Sequence, residues 1–222
     1  MVDGVKLPSV TSVVDCLDKG EGLIRWAAML GWDESQRVKR TSGERGTDVH
    51  KFMEEVVTGA TQWKFGDDLG KDCQYLGYKA AGLMWLRDNC PDGKYNAIAE
   101  MKVWSLRHGY AGRMDNVIRI GKTKRLVDWK TSTKIRPESA LQTIAYKEAY
   151  NEMVPGDPIE ERMVVLLKPD GLYEEKLYTN RDASDMGGFL GLLDAFRWLH
   201  KGDFQKNSKE VEETKENVIE QV

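Results

Sequence analysis

A pair of short, β-branched stretches separated by a turn constrains the fold of this chain more than any other feature. Residues 111–120 and 124–131 have the length and composition of strands, and a short glycine-containing segment, 121–123, lies between them. Two such stretches with so short a connection predict a β-hairpin. In the second strand, successive side chains point to opposite faces, so Leu126, Asp128 and Lys130 share one face and Val127, Trp129 and Thr131 the other.

Asp128 and Lys130 are the residues of this hairpin that suggest chemistry. An acid and a lysine on one face of a strand can act on the same phosphate, because the acid can hold a cation and the ammonium can lie beside the oxygen that attacks or carries charge. Taken alone, so short a motif is more often a cross-strand ion pair on a solvated face. The choice between these interpretations depends on which other residues converge on the hairpin.

Glu100 is a further candidate, in a strand predicted over 96–106. Alternation places Ala97, Ala99, Met101 and Val103 on one face of that strand, and Ile98, Glu100, Lys102 and Trp104 on the other. A carboxylate in a mainly apolar strand is costly unless it is paired, so Glu100 either meets a cation or lies on a wet face. Three successive strands therefore carry carboxylates, Glu100, Asp115 and Asp128.

Helices are predicted on both sides of these strands. The predicted segments are a short helix from an N-cap at residues 8–12 through Leu17 that ends near Gly20, a helix over 23–30 that ends at Gly31, helices from about Ser42 to Gly59 and over 67–89, a helix after Pro137, and a final helix over 183–200. A second hairpin, over 162–168 and 171–179, turns at Pro169, Asp170 and Gly171.

Three polar residues on these helices, His50, Gln142 and Tyr146, are further candidates for a functional site. Gly46 and His50 lie four residues apart, and so do Gln142 and Tyr146, so each pair shares a helix face. His50 lies beside an apolar stripe without belonging to it. A lone histidine at a helix edge is most often a structural residue, but the position of His50 also allows a site on the side away from the stripe.

Composition narrows the class of protein. The 222 residues suffice for one good-sized domain or two small ones. There is no apolar run of about 18 residues and no basic-then-apolar leader, which predicts a cytoplasmic protein that does not enter a membrane. Its three scattered cysteines argue against disulfides, a CxxC zinc site and a four-cysteine iron–sulfur cluster. The net charge of −3 does not indicate nucleic-acid binding, although six basic residues lie between positions 122 and 136.

Taken together, the candidates form a series of five short motifs. Gly46-x-x-x-His50, Glu100, Gly112-x-x-Asp115, Asp128-x-Lys130 and Gln142-x-x-x-Tyr146 follow one another over about a hundred residues. In order and approximate spacing this series resembles the PD-(D/E)XK nuclease superfamily, and more narrowly its RecB-like exonuclease branch, of the phage type without an iron–sulfur cluster. The resemblance covers the middle half of the chain.

The resemblance implies an α/β fold with a central mixed β-sheet flanked by helices, a restriction-endonuclease-like core. It implies a single nuclease domain over 1–204, with a helical part over about 1–95, a catalytic sheet core over about 96–180 and the helix over 183–200. A charged tail would follow over 205–222. The metal site would lie at the mouth of the central strands.

The resemblance also implies roles for individual residues. Lys130 would orient or activate the attacking water and stabilise charge on the phosphate, and Glu100 would be a ligand to a second metal, a supporting group or an orienting base. The implied metal ligands are His50, Asp115, Asp128 and the backbone carbonyl of Trp129, and the implied nucleic-acid contacts are Gln142, Tyr146, Arg113 and Lys134. Oxygen ligands with one imidazole suit Mg²⁺ or Mn²⁺, as one ion or two.

The expected activity is metal-dependent hydrolysis of phosphodiester bonds at DNA ends, single-stranded or processed, in a bacterial or phage-infected cell. Because histidine must be neutral to bind a metal, activity is expected to fall at acidic pH. Two alternatives stay open at this point. The chain could be a structure-specific flap endonuclease, or a non-catalytic DNA-binding subunit built on a nuclease fold. Protein partners are not predicted.

Overall fold

The computed structural model describes residues 6–17 and 21–201 of the chain. Its elements in chain order are α1 (Val10–Val14), α2 (Glu21–Leu30), α3 (Trp32–Val57), α4 (Leu76–Asn89), β1 (Ala97–Ser105), β2 (Tyr110–Ile120), β3 (Thr123–Lys130), α5 (Glu138–Met153), β4 (Glu161–Leu167), β5 (Tyr173–Tyr178) and α6 (Asp182–Leu199).

The five strands form one mixed sheet in the spatial order β1-β2-β3-β4-β5. Neighbours are antiparallel except β3 and β4, which are parallel and have α5 between them in the chain. Parallel strands cannot be joined by a tight turn, so the topology requires a long crossover connection, which α5 provides. The expected α/β class, with a mixed sheet flanked by helices, is confirmed, and so are both hairpins.

Hydrophobic cores cover both faces of the sheet. One cluster joins the sheet to α1, α5 and α6 through residues such as Tyr110, Ile144 and Phe189. The other joins it to α3 and α4 through residues such as Met53 and Trp85. Burying each large apolar side chain contributes about 1.5–3 kcal/mol, so these two clusters hold the helices against the sheet. No helix of the described ranges combines the length and apolar character that crossing a membrane requires.

The strands alternate as predicted in β3 but not in β1. Leu126 belongs to the cluster under α5, whereas Val127 and Trp129 belong to the cluster under α3 and α4. In β1, Ala97 and Ala99 pack against the α3–α4 cluster but Met101 and Val103 against the other. The prediction that these four share a face is wrong, because Glu100 between them has a φ of 50° and shifts the alternation by one residue.

Three helix boundaries differ from prediction by three residues or more. Helix α3 begins at Trp32, ten residues before the predicted start, because residues 34–40 are rich in helix-favouring Glu, Gln, Lys and Arg even without an apolar stripe. Helix α4 begins only at Leu76, since Gly70 and Tyr75 before it have positive φ.

Helix α1 ends at Val14, three residues before the predicted end. The helix end predicted near Gly20 and the charged tail over 205–222 lie outside the described residues.

Candidate metal centre

Three side chains from different elements meet at one point beside the sheet. His50 of α3, Glu100 of β1 and Asp115 of β2 each offer a ligand atom, and these atoms lie within 4.8 Å of one another. His50 Nδ1 is 3.4 Å from Asp115 Oδ1. His50 reaches this point because its neighbours Val49 and Met53 pack α3 onto the sheet. The His50 and Glu100 side chains are each 26% exposed, so the centre is open to a ligand from solvent.

Irregular backbone in two neighbouring strands makes room for this cluster. Glu100 stands across from Asp115, between the paired residues on either side, and its positive φ interrupts the ladder there. On the other side of β2, the ladder with β3 reaches only Asn116 and Val127. Beyond that pair, the backbone N–H of Trp129 donates to Asp115 Oδ2 at 2.9 Å. The Asp115 carboxylate therefore takes the place of a backbone carbonyl as acceptor. This bond to β3 holds the carboxylate in position where the regular pairing of β2 with β3 ends.

Asp128 and Lys130 lie on the α5 side of β3, as their parity predicts. Lys130 Nζ is 2.7 Å from Asp128 Oδ2 and donates to Gln142 Oε1 at 3.0 Å. The Asp128 side chain is 1% exposed, and neither of its oxygens has a hydrogen bond of good geometry within the described part of the chain. A buried carboxylate whose closest partner is one ammonium still has oxygen lone pairs without a hydrogen bond, which is costly, so this position favours a further positive charge.

The charges of the centre interact strongly. Burial raises the pKa of Asp128 to about 6 although Lys130 opposes this. Burial acts in the same direction on Asp115, but His50 and Lys130 outweigh it and hold the pKa of Asp115 below its usual value. Burial would lower the pKa of His50, yet the charge of Asp115 raises it to about 9. Without a metal, the imidazole is therefore protonated at neutral pH, and a cation must displace that proton to bind.

Glu100 and Lys130 complete the electrostatic picture. Burial and the neighbouring charge of Asp115 raise the pKa of Glu100, despite Arg113. Burial works against the Lys130 charge, but Asp128 and Asp115 hold the pKa of Lys130 above its usual range. Lys130 is thus an ammonium at neutral pH. Three carboxylates thus share the centre with the His50 imidazole, the Lys130 ammonium and the exposed Arg113 guanidinium, and a cation that displaces the proton of His50 would find carboxylate oxygens beside it.

The donor set fits Mg²⁺ or Mn²⁺. Carboxylate oxygens with one imidazole are the ligands such ions accept, and the Asp128 carboxylate lies close enough to interact electrostatically with His50 and Asp115. The three that meet are His50, Glu100 and Asp115, so Glu100 takes the place expected for Asp128 in the closest cluster. Ligation by Asp128 and by the Trp129 carbonyl stays a prediction.

The four expected nucleic-acid contacts occupy different environments. Gln142 Nε2 donates to the Tyr146 hydroxyl at 3.1 Å, and Tyr146 is only 2% exposed. The Tyr146 ring is thus part of the core, and the expected role of Tyr146 toward a nucleic-acid strand stays a prediction. Arg113 is 59% exposed and 3.4 Å from Glu100. Lys134 is exposed in the loop after β3.

Sequence reasoning missed two contributors to the surroundings of the centre. Arg45 donates from Nη2 to the carbonyl of Thr131 at 3.0 Å and so ties α3 to the end of β3. No sequence signal joins positions 86 residues apart, although Arg45 does precede His50 by little more than one turn. The second is a cleft of about 180 Å³ beside Lys130, lined by residues including Thr11, Ser132, Arg136, Ser139 and Gln142.

Comparisons with known proteins add little. The chain matches no protein-family model and no curated protein. Among solved structures, the crystal structure of SSO0001 is similar at 17% sequence identity over 86% of this chain and 75% of that chain, with a TM-score of 0.45. So weak a likeness carries no conclusion about fold or function. The interpretation of the site therefore depends on its own geometry.

Proposed function

We propose that this chain is a divalent-metal-dependent nuclease that hydrolyses phosphodiester bonds in DNA. The observation that carries the proposal is the convergence of His50, Glu100 and Asp115 within 4.8 Å. The ammonium of Lys130 beside the carboxylate of Asp128 supports it further. A module that only bound DNA would have no need of both the acids and the lysine.

The residues of the centre would divide the work. His50, Glu100 and Asp115 would hold the cation, which supplies Lewis acidity toward the phosphate and lowers the pKa of a bound water. Lys130 keeps its proton, so it would donate a hydrogen bond to the oxygen on which negative charge develops. Asp128 and Gln142 restrain the direction of its ammonium through contacts of 2.7 Å and 3.0 Å.

Within this class we propose exonuclease action on single-stranded or processed ends, in the cytoplasm of a bacterial or phage-infected cell. The resemblance of the five motifs to the RecB-like branch supports this choice. A flap endonuclease would use the same centre. Linear and circular DNA incubated side by side separate the two, because only an endonuclease opens a circle.

The decisive experiment measures cleavage of end-labelled DNA by Lys130→Ala in Mg²⁺ and Mn²⁺. We expect cleavage to fall by about 10²–10³-fold, the effect of removing one charge-stabilising donor. Thermal stabilisation by Mn²⁺ should persist in Lys130→Ala, because Lys130 is not a ligand. Asp115→Asn should lose both cleavage and the Mn²⁺ stabilisation. Lys122→Ala, at the exposed turn between β2 and β3, is the matched control and should behave as the unsubstituted chain.

Full cleavage by Lys130→Ala, or by the unsubstituted chain in excess EDTA, would contradict the mechanism. DNA binding with no cleavage under any metal condition would instead favour the non-catalytic subunit.

A further inference from the structure

Six residues of α3 form a straight stripe that ends at His50. Eighteen residues make about five complete turns of an α-helix, so a residue eighteen positions before His50 lies on the same side of α3. Six residues close to the line from that position to His50 are exposed or partly exposed: Trp32, Gln36, Lys39, Gly43, Gly46 and His50. The stripe spans about 27 Å at 1.5 Å per residue.

The surface of the stripe is open. Trp32 is 75% exposed, and Gln36, Lys39 and Gly43 are also exposed. A Cβ at Gly43 would meet no described heavy atom within 4 Å, and one at Gly46 would meet only Thr131 Oγ1, at 3.8 Å. Two glycines on one exposed helix face leave the bare backbone accessible to a ligand that approaches closely.

The side chains along the stripe suit a single nucleic-acid strand. Single-strand-binding surfaces combine aromatic rings that stack on bases with cations that follow the phosphates. Trp32 supplies an exposed ring. Lys39 has no ion pair among the described residues, whereas Arg37 and Arg40 on other sides of α3 face Glu34 and Glu44. Lys39, whose ammonium pairs with no carboxylate of the described residues, thus lies on the line that leads to the metal centre.

We propose that this stripe is a binding track for single-stranded DNA, which it guides toward His50 and the metal centre. The inference rests on the proposed function, since it supplies the substrate class and the approach to that same site. A single strand fits better than a duplex, because the exposed ring of Trp32 needs an unpaired base on which to stack.

The test measures binding of a labelled single-stranded oligonucleotide of about 12 nucleotides, within the range of known single-strand sites, by fluorescence anisotropy in EDTA so that no cleavage occurs. Trp32→Ala should weaken binding by about 5- to 150-fold, the range for loss of one stacking side chain. Lys39→Gln should make the dependence of log K on log salt less steep by about 0.7.

A third variant separates binding from folding. Gly43→Leu should weaken binding by obstructing the track, yet raise the melting temperature, because leucine favours a helix more than glycine does. Trp198→Ala on α6, where the side chain is 65% exposed, and Lys122→Gln are matched controls that should bind as the unsubstituted chain does.

Unchanged binding in all three track variants, or equal losses in the controls, would overturn the proposal. So would a Trp32→Ala change that dissociates a dimer in sedimentation velocity without altering DNA binding, since the stripe would then be an interface between copies. Hydrolysis of bis(p-nitrophenyl) phosphate by the unsubstituted chain tests the centre separately. Its absence, with the track effects present, would overturn the proposed nuclease function while supporting strand binding.

Discussion

At the scale of single residues, Glu100 carries the clearest sign of a special role. It lies within β1 with a φ of 50°, in the left-handed region that costs an ordinary residue about 1–2 kcal/mol. Its carboxylate also lies beside that of Asp115, whose charge adds to burial in raising the pKa of Glu100. Strained residues of this kind collect at functional sites, where the surrounding structure holds them.

Glu100→Gly should therefore separate stability from metal binding. Glycine removes the strain and the repulsion but adds about 0.5–1 kcal/mol of unfolded-chain entropy, so the melting temperature without metal should be unchanged or higher. The rise in melting temperature with Mn²⁺ should largely disappear. Asn180→Gly, at another positive φ of 54° after β5, is the matched control and should keep that rise. An undiminished Mn²⁺ effect in Glu100→Gly would remove Glu100 from the ligand set.

At the scale of elements, the contact between β2 and α5 sets the position of Lys130. A Cβ at Gly112 would lie 2.5 Å from Tyr146 Cε1 and 3.1 Å from Val10 Cγ2, so only glycine lets the ring pack here. Tyr146 in turn accepts a hydrogen bond from Gln142, and Gln142 accepts one from Lys130. Gly112 thus makes room for the Tyr146 ring, and Tyr146 in turn positions Lys130 on the next strand through Gln142.

Gly112→Ala should destabilise the fold by about 1–3 kcal/mol, the usual cost of inserting a methyl group into a packed contact. The measurement is the free energy of unfolding in urea. Gly187→Ala is the control, because a Cβ there meets no described atom within 4 Å and alanine favours the α6 helix, which should gain up to about 1 kcal/mol. Equal stability of the two variants would mean that Tyr146 can move aside.

A second contact between elements joins α5 to the turn after β1, and it depends on the ionisation of Glu152. The Glu152 carboxylate near the end of α5 accepts hydrogen bonds from Ser105 Oγ and from the backbone N–H groups of Leu106 and Arg107, which start the turn between β1 and β2. Burial acts against ionisation, but these bonds prevail and hold the pKa of Glu152 below its usual value. Because the pKa of Glu152 is lowered by folding, its ionisation stabilises the folded state fully at pH values above the pKa in the unfolded chain, about 4.3. This stabilisation is lost as the pH falls through the pKa of Glu152 in the folded state.

Glu152→Gln should accordingly be less stable than the unsubstituted chain at pH 7, by no more than about 1 kcal/mol because the side chain is exposed and its charge is screened. The difference should shrink as the pH falls below about 4. Urea unfolding at several pH values measures it. A difference that is constant with pH would show that charge does not matter to this contact.

At the scale of the whole molecule, the five-stranded sheet lies between two hydrophobic cores and contributes side chains to both. The clusters on its faces use alternate residues of the same strands, as Leu126 and Val127 do. The fully buried Arg162 of β4 adds ion pairs to Asp182 and Asp185 of α6. Neither face can lose its helices without exposing the strands that also support the other face.

The described domain is therefore expected to unfold in one cooperative transition. The buried pair Trp85 and Trp129, whose rings lie 5.1 Å apart on the α3–α4 face, should give the largest change in tryptophan fluorescence on unfolding, because the other tryptophans are already partly or largely exposed. Far-ultraviolet circular dichroism reports on helices of both faces. The two urea curves should coincide. Two separate midpoints would mean that the faces are independent units.

The sequence by itself determined what depends on neighbours along the chain. The type and order of the main elements, both hairpins and the parity of Asp128 and Lys130 follow from the two-residue repeat of strands and the 3.6-residue repeat of helices. The start of α3 does not follow from the sequence pattern, because charged helix-formers give no apolar stripe. Nor does the change of side-chain alternation at Glu100, because one residue with positive φ leaves no pattern in the sequence.

Only the tertiary structure decided which side chains meet. His50 and Asp115 are 65 positions apart, and their contact exists because apolar side chains beside His50 dock α3 on the sheet. The same packing placed Glu100 rather than Asp128 in the closest cluster and put the Tyr146 ring into the core. Local sequence fixes the direction of a side chain within its own element, but the distance between elements depends on how whole faces pack together.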